Sequence, residues 1–406
     1  MKTMNDISFE NIKVLMRVDF NVALNKTDLS ITDDSRIRAA LPSINKIIND
    51  GGSCILMSHL GRPLKKLKED GSIDYKKYTL NLITERLSQL CGRSVLFSQD
   101  CISEEATIKA RQLKNGEILL LENLRFHPEE EKGNEEFARK LSSLGNYYVN
   151  DAFGTAHRQH ASTSVIAQFF KGKCCAGLLM AAEIENAEKV MLHSTRPFTA
   201  IVGGAKVSDK ILIIENLMNK ADNIIIGGGM MFTFLKALGH EIGTSICEED
   251  KVDLAMHLLN KAKEKGVNLM LPKDAVLADA FDNNAKTMIK KTDQIESGWM
   301  GLDIGPESIS EFSNVINQSA TILWNGPMGV FEMTAFENGT KSVANAIASA
   351  SSNGSYSLIG GGDSAAAIKK FRLEDKVNYV STGGGALLEY FEGKELPGIS
   401  FLNRYE

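Results

Sequence analysis

The sequence contains few cysteines, and their spacing matches neither a metal-binding motif nor a disulfide-rich framework. The six cysteines include no CxxC pair, and most of them stand in apolar surroundings. This usage is typical of reduced thiols in a reducing compartment, so we expect neither a disulfide nor a cysteine-bound metal. The cysteines are Cys54, Cys91, Cys101, Cys174, Cys175 and Cys247.

Long apolar segments and an excess of basic residues are also missing. The first residues, MKTMNDISFENIKV, lack the apolar core of a signal peptide, and no uncharged segment reaches the ~20 residues that a membrane helix needs. The formal net charge is −5, whereas proteins that bind nucleic acid usually present a basic surface. We therefore expect a cytoplasmic protein that binds neither membranes nor nucleic acid.

The two commonest phosphate-binding motifs, GxxxxGK[ST] and GxGxxG, are absent as well. In their place, an apolar strand, a run of glycines and a helical pattern follow one another four times in the second half of the chain. Glycines in such a turn let a ligand approach the backbone, and the first N–H groups of the helix can bind a phosphate. One such turn is equally explained by tight strand–helix packing, but four indicate a nucleotide site. The segments are IVGGAKVSDKI, IIIGGGMMFTFL, LIGGGDSAAAI and STGGGALLEY.

Short apolar strands alternate with helical patterns along all 406 residues. This alternation is typical of βαβ units, in which helices cover both faces of a parallel sheet. The strands are too many for one sheet, so the sequence predicts an α/β protein. We expect two doubly wound, Rossmann-like parallel-sheet domains joined by a connecting helix and hinge. The predicted strands are 14–18, 54–57, 95–97, 118–121, 147–149, 199–202, 224–226, 269–271, 322–324, 358–359 and 379–380.

The division between the predicted domains is a helical segment, AAEIENAEKVML. Glu185 and Lys189 lie four residues apart in it and therefore share one face of the helix. We expect a first domain over 1–176, the connecting helix over 177–193 and a second domain over 194–392.

In the first half, polar clusters rich in arginine and histidine follow the predicted strands. Ligands of open parallel sheets bind beyond the carboxyl ends of the strands, so these clusters should meet in one crevice. Because arginine binds phosphate and carboxylate groups well, the set predicts a small, doubly anionic ligand, although each arginine alone could form a surface ion pair. The two histidines of the set have no evident nucleophile partner, which favours hydrogen bonding over acid–base catalysis. The cationic residues are Arg36, His59, Arg62, Arg125, His157 and Arg158.

Charged residues beside the glycine turns of the second half predict the nature of the ligand there. Lys206 and Lys210 are expected on one face of the first turns of a helix, where two cations oppose the helix dipole unless an anion binds. Asp363 suits Mg²⁺, with a helix N-cap as the alternative. The segment WNGPMGVFE offers Asn325 for a phosphate and Glu332 for ribose hydroxyls.

With these residues in place, the chain resembles the phosphoglycerate kinase family. The matching motifs run in family order from Arg17 to Gly398 and so cover nearly the whole chain. They are RVDFNVAL, DDSRIRAALP, SHLGRP, ENLRFHPEEE, NDAFGTAHRQHAST, GGAKVSDKI, IIGGGM, GLDIGPES, WNGPMGVFE, GGGDSAA and STGGGALLEYFEGKELPG.

The resemblance implies a phosphotransferase that acts on a carboxyl group. Its reaction would be reversible, Mg²⁺-dependent phosphoryl transfer from 1,3-bisphosphoglycerate to ADP, which yields 3-phosphoglycerate and ATP in glycolysis and runs backwards in gluconeogenesis. It also implies a monomer whose first domain binds phosphoglycerate and whose second domain binds the nucleotide. The C-terminal tail over 393–406 would return to the first domain, and hinge closure would bring the two ligands together.

The resemblance further implies roles for individual residues. The phosphoglycerate contacts would be Asp19, Phe20, Asn21, Arg36, His59, Leu60, Gly61, Arg62, Arg125 and Arg158. The nucleotide contacts would be Lys206, Lys210, Gly301, Leu302, Asn325, Glu332, Gly361, Gly362, Asp363 and Ser364, with Asp363 as the Mg²⁺ ligand. The catalytic groups would be Arg36, Lys206, Lys210, Gly362 and Gly385.

Three residues depart from the family pattern, because Ala23, Met231 and Ala182 stand where the family usually has proline, alanine and lysine. None of them is a reacting group, but Met231 bears on the shape of the nucleotide pocket. Two other functions stay open on the residues alone. One is a kinase for acetate or aspartate, which the arginine-rich first half disfavours because acetate has no second anionic group. The other is a nucleotide sensor without catalysis, which the presence of the implied catalytic residues disfavours.

Overall fold

The computed structural model describes every residue of the chain, which forms two compact units. Unit 1 comprises Met1–Ile184 and Glu395–Glu406, and unit 2 comprises Glu185–Lys394. The division falls inside the segment that the sequence predicts as a connecting helix. Compact units are not evidence of independent motion, so the domain boundaries expected at 1–176, 177–193 and 194–392 stay predictions.

Unit 1 contains a parallel sheet of six strands. The eight strands of unit 1 as a whole are β1 (Lys13–Arg17), β2 (Ala23–Leu24), β3 (Ile31–Asp33), β4 (Ser53–Met57), β5 (Val95–Ser98), β6 (Ile118–Leu121), β7 (Tyr147–Asn150) and β8 (Cys174–Ala176). The order in the sheet is β5-β6-β4-β1-β7-β8, while β2 and β3 form a small antiparallel pair. The central strand β1 pairs with β4 on one side and β7 on the other. Residues that follow these three strands therefore lie at one edge of the sheet, where ligands of such folds bind.

Helices connect the strands of unit 1 and pack against its sheet. They are α1 (Ser35–Asn49), α2 (Tyr75–Tyr78), α3 (Asn81–Cys91), α4 (Glu104–Gln112), α5 (Pro128–Glu131), α6 (Glu135–Ser142) and α7 (Leu178–Met191), the last of which continues into unit 2. In α1, the buried residues Ile37, Ile44 and Ile48 follow helical spacing, so one apolar face packs into the core.

Unit 2 contains a second parallel sheet of six strands and a separate antiparallel sheet of three. The strands are β9 (Phe198–Val202), β10 (Asn223–Ile226), β11 (Asn268–Met270), β12 (Asp274–Ala278), β13 (Thr287–Lys291), β14 (Met300–Ile304), β15 (Thr321–Asn325), β16 (Tyr356–Ile359) and β17 (Tyr379–Val380). The parallel sheet has the order β11-β10-β9-β15-β16-β17, and the antiparallel sheet has the order β13-β12-β14. The sequence did not predict the antiparallel sheet.

Most helices of unit 2 follow strands of its parallel sheet, whereas α10 follows α9 and α11 follows the antiparallel strand β14. They are α8 (Ile211–Leu217), α9 (Met231–Ala237), α10 (Val252–Glu264), α11 (Pro306–Asn317), α12 (Asn338–Ser352), α13 (Gly362–Lys370) and α14 (Gly385–Phe391). The buried Trp324 in β15 satisfies its indole N–H by donating to the carbonyl of Gly326 at 2.8 Å. Trp324 is therefore a core residue whose one polar group has a partner.

The C-terminal helix α15 (Pro397–Tyr405) packs within unit 1. The N–H of Gly398 donates to the carbonyl of Ala156 at 2.7 Å, and the N–H of Gly172 donates to that of Tyr405 at 2.7 Å. Across the chain, every helix is too short or too polar to cross a bilayer. The predicted α/β class with two doubly wound parallel sheets is confirmed.

Candidate active site

Asp19 stands at the centre of a charged cluster beyond the carboxyl end of β1. Its carboxylate accepts from the guanidinium of Arg36 in the first turn of α1, accepts from the N–H of Asn21 at 3.1 Å, and lies 3.9 Å from His59 Nδ1. Burial alone would raise the pKa of Asp19, but the positive charges beside it, those of Arg36 and Arg17 among them, outweigh that effect, so the pKa lies below its ordinary value. Asp19 is therefore ionised and holds Arg36 in place.

A fully buried arginine lies beneath this cluster. Arg17 donates from Nε to Ser162 Oγ at 2.8 Å, and its NH2 group lies 3.2 Å from His59 Nδ1. Because a guanidinium only donates, Nδ1 of His59 must accept, which places the ring proton on Nε2. Burial, together with the neighbouring arginines, lowers the pKa of His59 well below its ordinary value. His59 is thus a neutral hydrogen-bond donor at pH 7.

Arg125 links the polar segments that follow β4 and β6. It is buried, donates to the carbonyl of Gly61 at 2.9 Å, and its Nε lies 3.3 Å from Glu131. Burial lowers the pKa of Arg125 from its ordinary value, and repulsion from Arg17 and Arg62 adds to that effect despite the opposing pull of Glu131. The side chain of Asn21 accepts from the N–H of Gly61 at 2.8 Å, so the loops after β1 and β4 are tied together.

The remaining residues predicted for the unit 1 site differ in exposure. Arg62 and Arg158 are exposed and take part in no ion pair. Phe20 is buried and donates from its N–H to Ser58 Oγ at 2.8 Å. Leu60 is also buried, and it lines a small pocket together with Asn21 and Gly61. The structure therefore brings the predicted phosphoglycerate contacts to one edge of the sheet with two unpaired cations.

Unit 2 contains an apolar cavity of about 460 Å³. Gly301 and Leu302 of β14 form part of its wall, and Glu332 lies at its polar side. A Cβ atom added to Gly301 would stand 2.1 Å from Cζ of Phe232, so a side chain there would collide with the aromatic wall. Met231, the residue that departs from the family pattern, also lines the cavity and is buried.

A second, polar cavity of about 450 Å³ adjoins the first. Its wall includes Lys206, Lys210, Asn325 and Asp363. Lys210 donates to Asn325 Oδ1 at 2.6 Å. Burial lowers the pKa of Lys210 from its ordinary value, although Asp209 and Asp363 attract the charged form. Both cavities share Gly204, Ala205 and Asp363, so one ligand can occupy them together.

The prediction that Lys206 and Lys210 lie on the first turns of a helix is wrong. Helix α8 begins at Ile211, Lys206 is exposed in the preceding loop, and Lys210 is the residue just before the helix. Two hydrogen bonds anchor this loop to Glu248, because Ser208 donates to the Glu248 carboxylate from its N–H at 3.0 Å and from its hydroxyl at 2.5 Å. Because neither lysine lies within a helical turn, their charges do not oppose a helix dipole in the way the sequence suggested. Both lysines nevertheless line the polar cavity.

The alternative reading of Asp363 as a helix N-cap is also wrong. Gly361 occupies the N-cap position of α13, and Asp363 lies in the first turn with its carboxylate in the wall of both cavities. Ser364 is buried and accepts from the N–H of Gly326 at 2.6 Å, which fixes the glycine turn against the neighbouring loop.

The structure does not place Gly385 in the wall of either cavity. It begins α14, and only Leu388 of that helix lines the polar cavity. The N–H of Gly383 already donates to Ser381 Oγ at 3.0 Å, so this amide is not available to a ligand as the structure stands. Gly361 and Gly362, by contrast, do line the polar cavity.

Sequence reasoning missed the apolar walls of the nucleotide cavity and the buried support of the cationic cluster. Phe281 lines the cavity although 62% of its surface is exposed, and Ile246 does so at 50%. An aromatic residue in the polar segment ADAFDNNAK is the signal that could have identified Phe281. Arg17 and Ser162 had no such signal, because their contact joins residues 145 positions apart.

Comparison with known proteins agrees with this geometry. The family model described as phosphoglycerate kinase matches residues 4–394. A phosphoglycerate kinase of Chloroherpeton thalassium is 52% identical over 99% of both chains. A solved phosphoglycerate kinase structure from Coxiella burnetii has a TM-score of 0.88 and 38% identity over 100% of both chains, and one from Pyrococcus horikoshii has a TM-score of 0.83 and 30% identity, covering 99% of this chain and 98% of that one. The chain belongs to the phosphoglycerate kinase family.

Proposed function

We propose that the protein catalyses reversible phosphoryl transfer between 1,3-bisphosphoglycerate and ADP, giving 3-phosphoglycerate and ATP. The observation that carries this proposal is the pair of joined cavities in unit 2, one apolar and one polar, which fits the base and the phosphates of a nucleotide. The cationic cluster of unit 1 supplies a site for a second, doubly anionic substrate. Membership of the family links the two sites to this reaction.

In unit 1, we assign Arg36 to the reacting carboxyl group of phosphoglycerate. A guanidinium has five N–H donors, and Asp19 engages only one side of it, so donors remain for the substrate. Arg62 and Arg158 can bind the phosphate without first losing an ion pair. We assign the other contacts to Asp19, Phe20, Asn21, His59, Leu60, Gly61 and Arg125.

His59 serves this site as a hydrogen-bond donor rather than as an acid–base catalyst. Its Nδ1 is occupied by Arg17, and only Nε2–H is left for the substrate. Its lowered pKa keeps the ring neutral, so it can orient a substrate oxygen without adding charge.

In unit 2, we assign the apolar cavity to adenine and the polar cavity to the phosphates. Gly301 and Leu302 would border the base, and Glu332 would accept from the ribose hydroxyls. Lys210, fixed by Asn325, would bind the nucleotide phosphates. Lys206 is exposed and unpaired, and is therefore free to follow the transferred phosphoryl group.

Asp363 would hold Mg²⁺ together with phosphate oxygens. Its carboxylate makes no hydrogen bond and lies where the two cavities meet, and Mg²⁺ is usually bound by one or two carboxylates and substrate phosphates. The bound ion would neutralise phosphate charge. Gly361, Gly362 and Ser364 form the turn that presents this carboxylate, and Gly362 leaves room for a ligand at the backbone.

The residues of this chain act by positioning and by charge stabilisation. Phosphoryl transfer passes in line between two oxygens, and its transition state carries charge that Arg36 and Lys206 would stabilise. Because an acyl phosphate is hydrolysed by water, the two units would close around the substrates before transfer. We place the reaction in the cytoplasm, where the free thiols of the chain stay reduced, and propose a monomer.

A coupled assay with ATP, Mg²⁺ and 3-phosphoglycerate tests the proposal. Acetate and aspartate, run at matched concentrations, serve as controls because each offers a carboxylate without a phosphate. We expect turnover with 3-phosphoglycerate alone. Equal turnover with acetate would reject the assignment of the cationic cluster, and no turnover with any acceptor would reject catalysis altogether.

A further inference from the structure

Three potential metal ligands meet at the carboxyl ends of β5 and β6, outside the residues assigned to catalysis. Asp100 and Cys101 follow β5, and His127 follows the short turn after β6. Because these neighbouring strands are parallel, their following segments lie side by side. One ligand atom from each residue lies within 4.8 Å of the other two.

The chemistry and the separations of these atoms suit zinc. A thiolate, an imidazole nitrogen and a carboxylate oxygen are the three ligand types that zinc prefers, at roughly 2.0–2.3 Å. Ligands on such a tetrahedron stand roughly 3.3–3.8 Å apart, so a separation of 4.8 Å must shrink by roughly 1–1.5 Å and the shortest separation must widen slightly. His127 Nε2 already lies 2.9 Å from Asp100 Oδ2, and packing of its ring against Phe137, with centroids 5.3 Å apart, limits its orientation.

The cluster lies at the border between the core and solvent. Cys101 is completely buried, whereas the side chains of Asp100 and His127 are 36% and 25% exposed. Three carboxyl groups, those of Asp100, Glu130 and Glu122, lie close enough to the thiol to disfavour its charged form, and burial disfavours it further. A positive ion reverses that unfavourable field for a thiolate.

We propose that Asp100, Cys101 and His127 form a three-ligand site for Zn²⁺, with solvent in the fourth position. On binding, the Cys101 thiol releases its proton to solvent and forms the metal–sulfur bond. The hydrogen bond from His127 Nε2 to Asp100 breaks, the Nε2 proton passes to solvent while Nδ1 takes up a proton from solvent, and the neutral ring binds through Nε2. No electron is transferred. The site ties the loop after β5 to the segment that carries Arg125, two residues before His127.

Titration of the full-length apoprotein with Co²⁺, used as a spectroscopic substitute for Zn²⁺, tests the site. We expect a thiolate-to-cobalt charge-transfer band that saturates at one ion per chain and is abolished by competing Zn²⁺. Cobalt at Asp363 cannot give this band because no cysteine lines that cavity. The conservative variants Asp100→Asn and His127→Gln should weaken Co²⁺ binding at least about tenfold, a loss that even outer-shell changes can cause.

The cysteine variants identify the sulfur. Cys101→Ser should abolish the band, while Cys91→Ser, which alters a partly exposed thiol at the end of α3, should leave it unchanged. Circular dichroism would confirm that each variant is folded. Absence of the band in the wild type, or its loss in Cys91→Ser but not in Cys101→Ser, would overturn the proposal.

Discussion

Lys206 and Lys210 differ in burial, and this difference predicts separate effects on turnover and binding. Lys206 is exposed and unpaired, so it can act on the transferred phosphoryl group, whereas Lys210 is half-buried and fixed by Asn325. Lys206→Ala should lower kcat by roughly 10²-fold or more, the scale of losing one transition-state donor. Lys210→Ala should mainly raise the KM for the nucleotide. Steady-state kinetics measures both effects, and the exposed Lys341→Ala serves as the control. A near-normal kcat in Lys206→Ala would contradict the role proposed for Lys206.

Arg36 tests whether the two ligands are bound by different units. Its contacts lie within unit 1, with Asp19 as the ion-pair partner. Arg36→Ala should therefore abolish most turnover and leave the affinity for ADP nearly unchanged. Calorimetric titration with ADP measures the second effect, and a large loss of ADP affinity would show that the assignment to separate units is wrong.

The neighbouring residues Gly361 and Gly362 form a matched pair for a test of the polar cavity. Gly361 has φ of +91°, and an added Cβ would stand 2.8 Å from the side-chain nitrogen of Asn325. Gly362 has no protein atom within 4 Å of such a Cβ, so the space beside it is free for a phosphate. Gly361→Ala should lower the melting temperature, because alanine is strained at this φ.

Gly362→Ala should keep or slightly raise the melting temperature, since alanine at an unstrained position stabilises a protein by roughly 0.4–1 kcal/mol by restricting the unfolded chain. It should nevertheless weaken ADP binding, because the methyl group enters the cavity. Thermal unfolding and ADP titration of both variants separate the two effects. Unchanged ADP affinity in a stable Gly362→Ala variant would show that no ligand group approaches this backbone.

At the scale of elements, Asp303 joins β14 to the start of α12. Its buried carboxylate accepts from the N–H of Gly339 at 2.7 Å and from that of Ile304 at 2.9 Å. Burial raises the pKa of Asp303 to about 7, and these hydrogen bonds only partly oppose the shift. The folded state then binds more protons than the unfolded state, so this residue contributes stability below pH ~4 that is lost as the pH rises to about 7.

Asp303→Asn removes this titration and should make the free energy of unfolding less dependent on pH. The advantage of the wild type over the variant should shrink between pH 4 and pH 7. At low pH, where the carboxyl group is protonated in both states, the variant should be less stable by roughly 1–3 kcal/mol, because one amide oxygen cannot replace two acceptors. Urea unfolding across this range is the measurement, and an advantage that grows with pH would contradict the sign.

All but one of the strands of the two parallel sheets could be predicted from the sequence, because burial on both faces requires continuous apolar runs, and only the three-residue strand β8 was missed. Each predicted strand overlaps an observed one, as 14–18 does with β1 at Lys13–Arg17. The antiparallel sheet was missed because β13 alternates between exposed and half-buried residues and contains two lysines. Its partner β12 begins at Asp274, which looks like a loop residue until Ser308 donates to its carboxylate at 2.6 Å.

Those residues of the candidate site that directly follow strands could be predicted from the sequence. The backbone conformation could not be predicted where contacts between distant segments determine it. The sequence GGAKVSDKI suggests a helix start at Lys206, yet the bond between Ser208 and Glu248, 40 residues away, keeps that segment as a loop. The apolar wall formed by Phe232 and Phe281 likewise depends on the packing of α9 against the antiparallel sheet region, which no local pattern records.

For the whole molecule, the assignment of the two substrates to different units has a consequence for motion. The cationic cluster lies in unit 1 and the joined cavities lie in unit 2. Direct transfer needs reacting atoms ~3 Å apart, so the proposed reaction requires the two units to hold their ligands that close. With the roles proposed above, Arg36 and Lys206 would share the charge of the transition state only when both substrates are bound, so most of the favourable pairing that stabilises a closed state would require the ternary complex.

We therefore expect either ligand alone to compact the protein little, and both together to close it. Small-angle scattering would compare the apoprotein, each binary complex and a ternary complex that contains ADP, Mg²⁺, 3-phosphoglycerate and a metal-fluoride mimic of the phosphoryl group. The radius of gyration should fall clearly only in the ternary sample. Arg36→Ala is the matched control, because it removes charge pairing from unit 1 without touching the nucleotide cavities, and it should reduce this compaction. An unchanged radius in all wild-type samples would reject closure, yet the assay with 3-phosphoglycerate would still decide the kinase activity on its own.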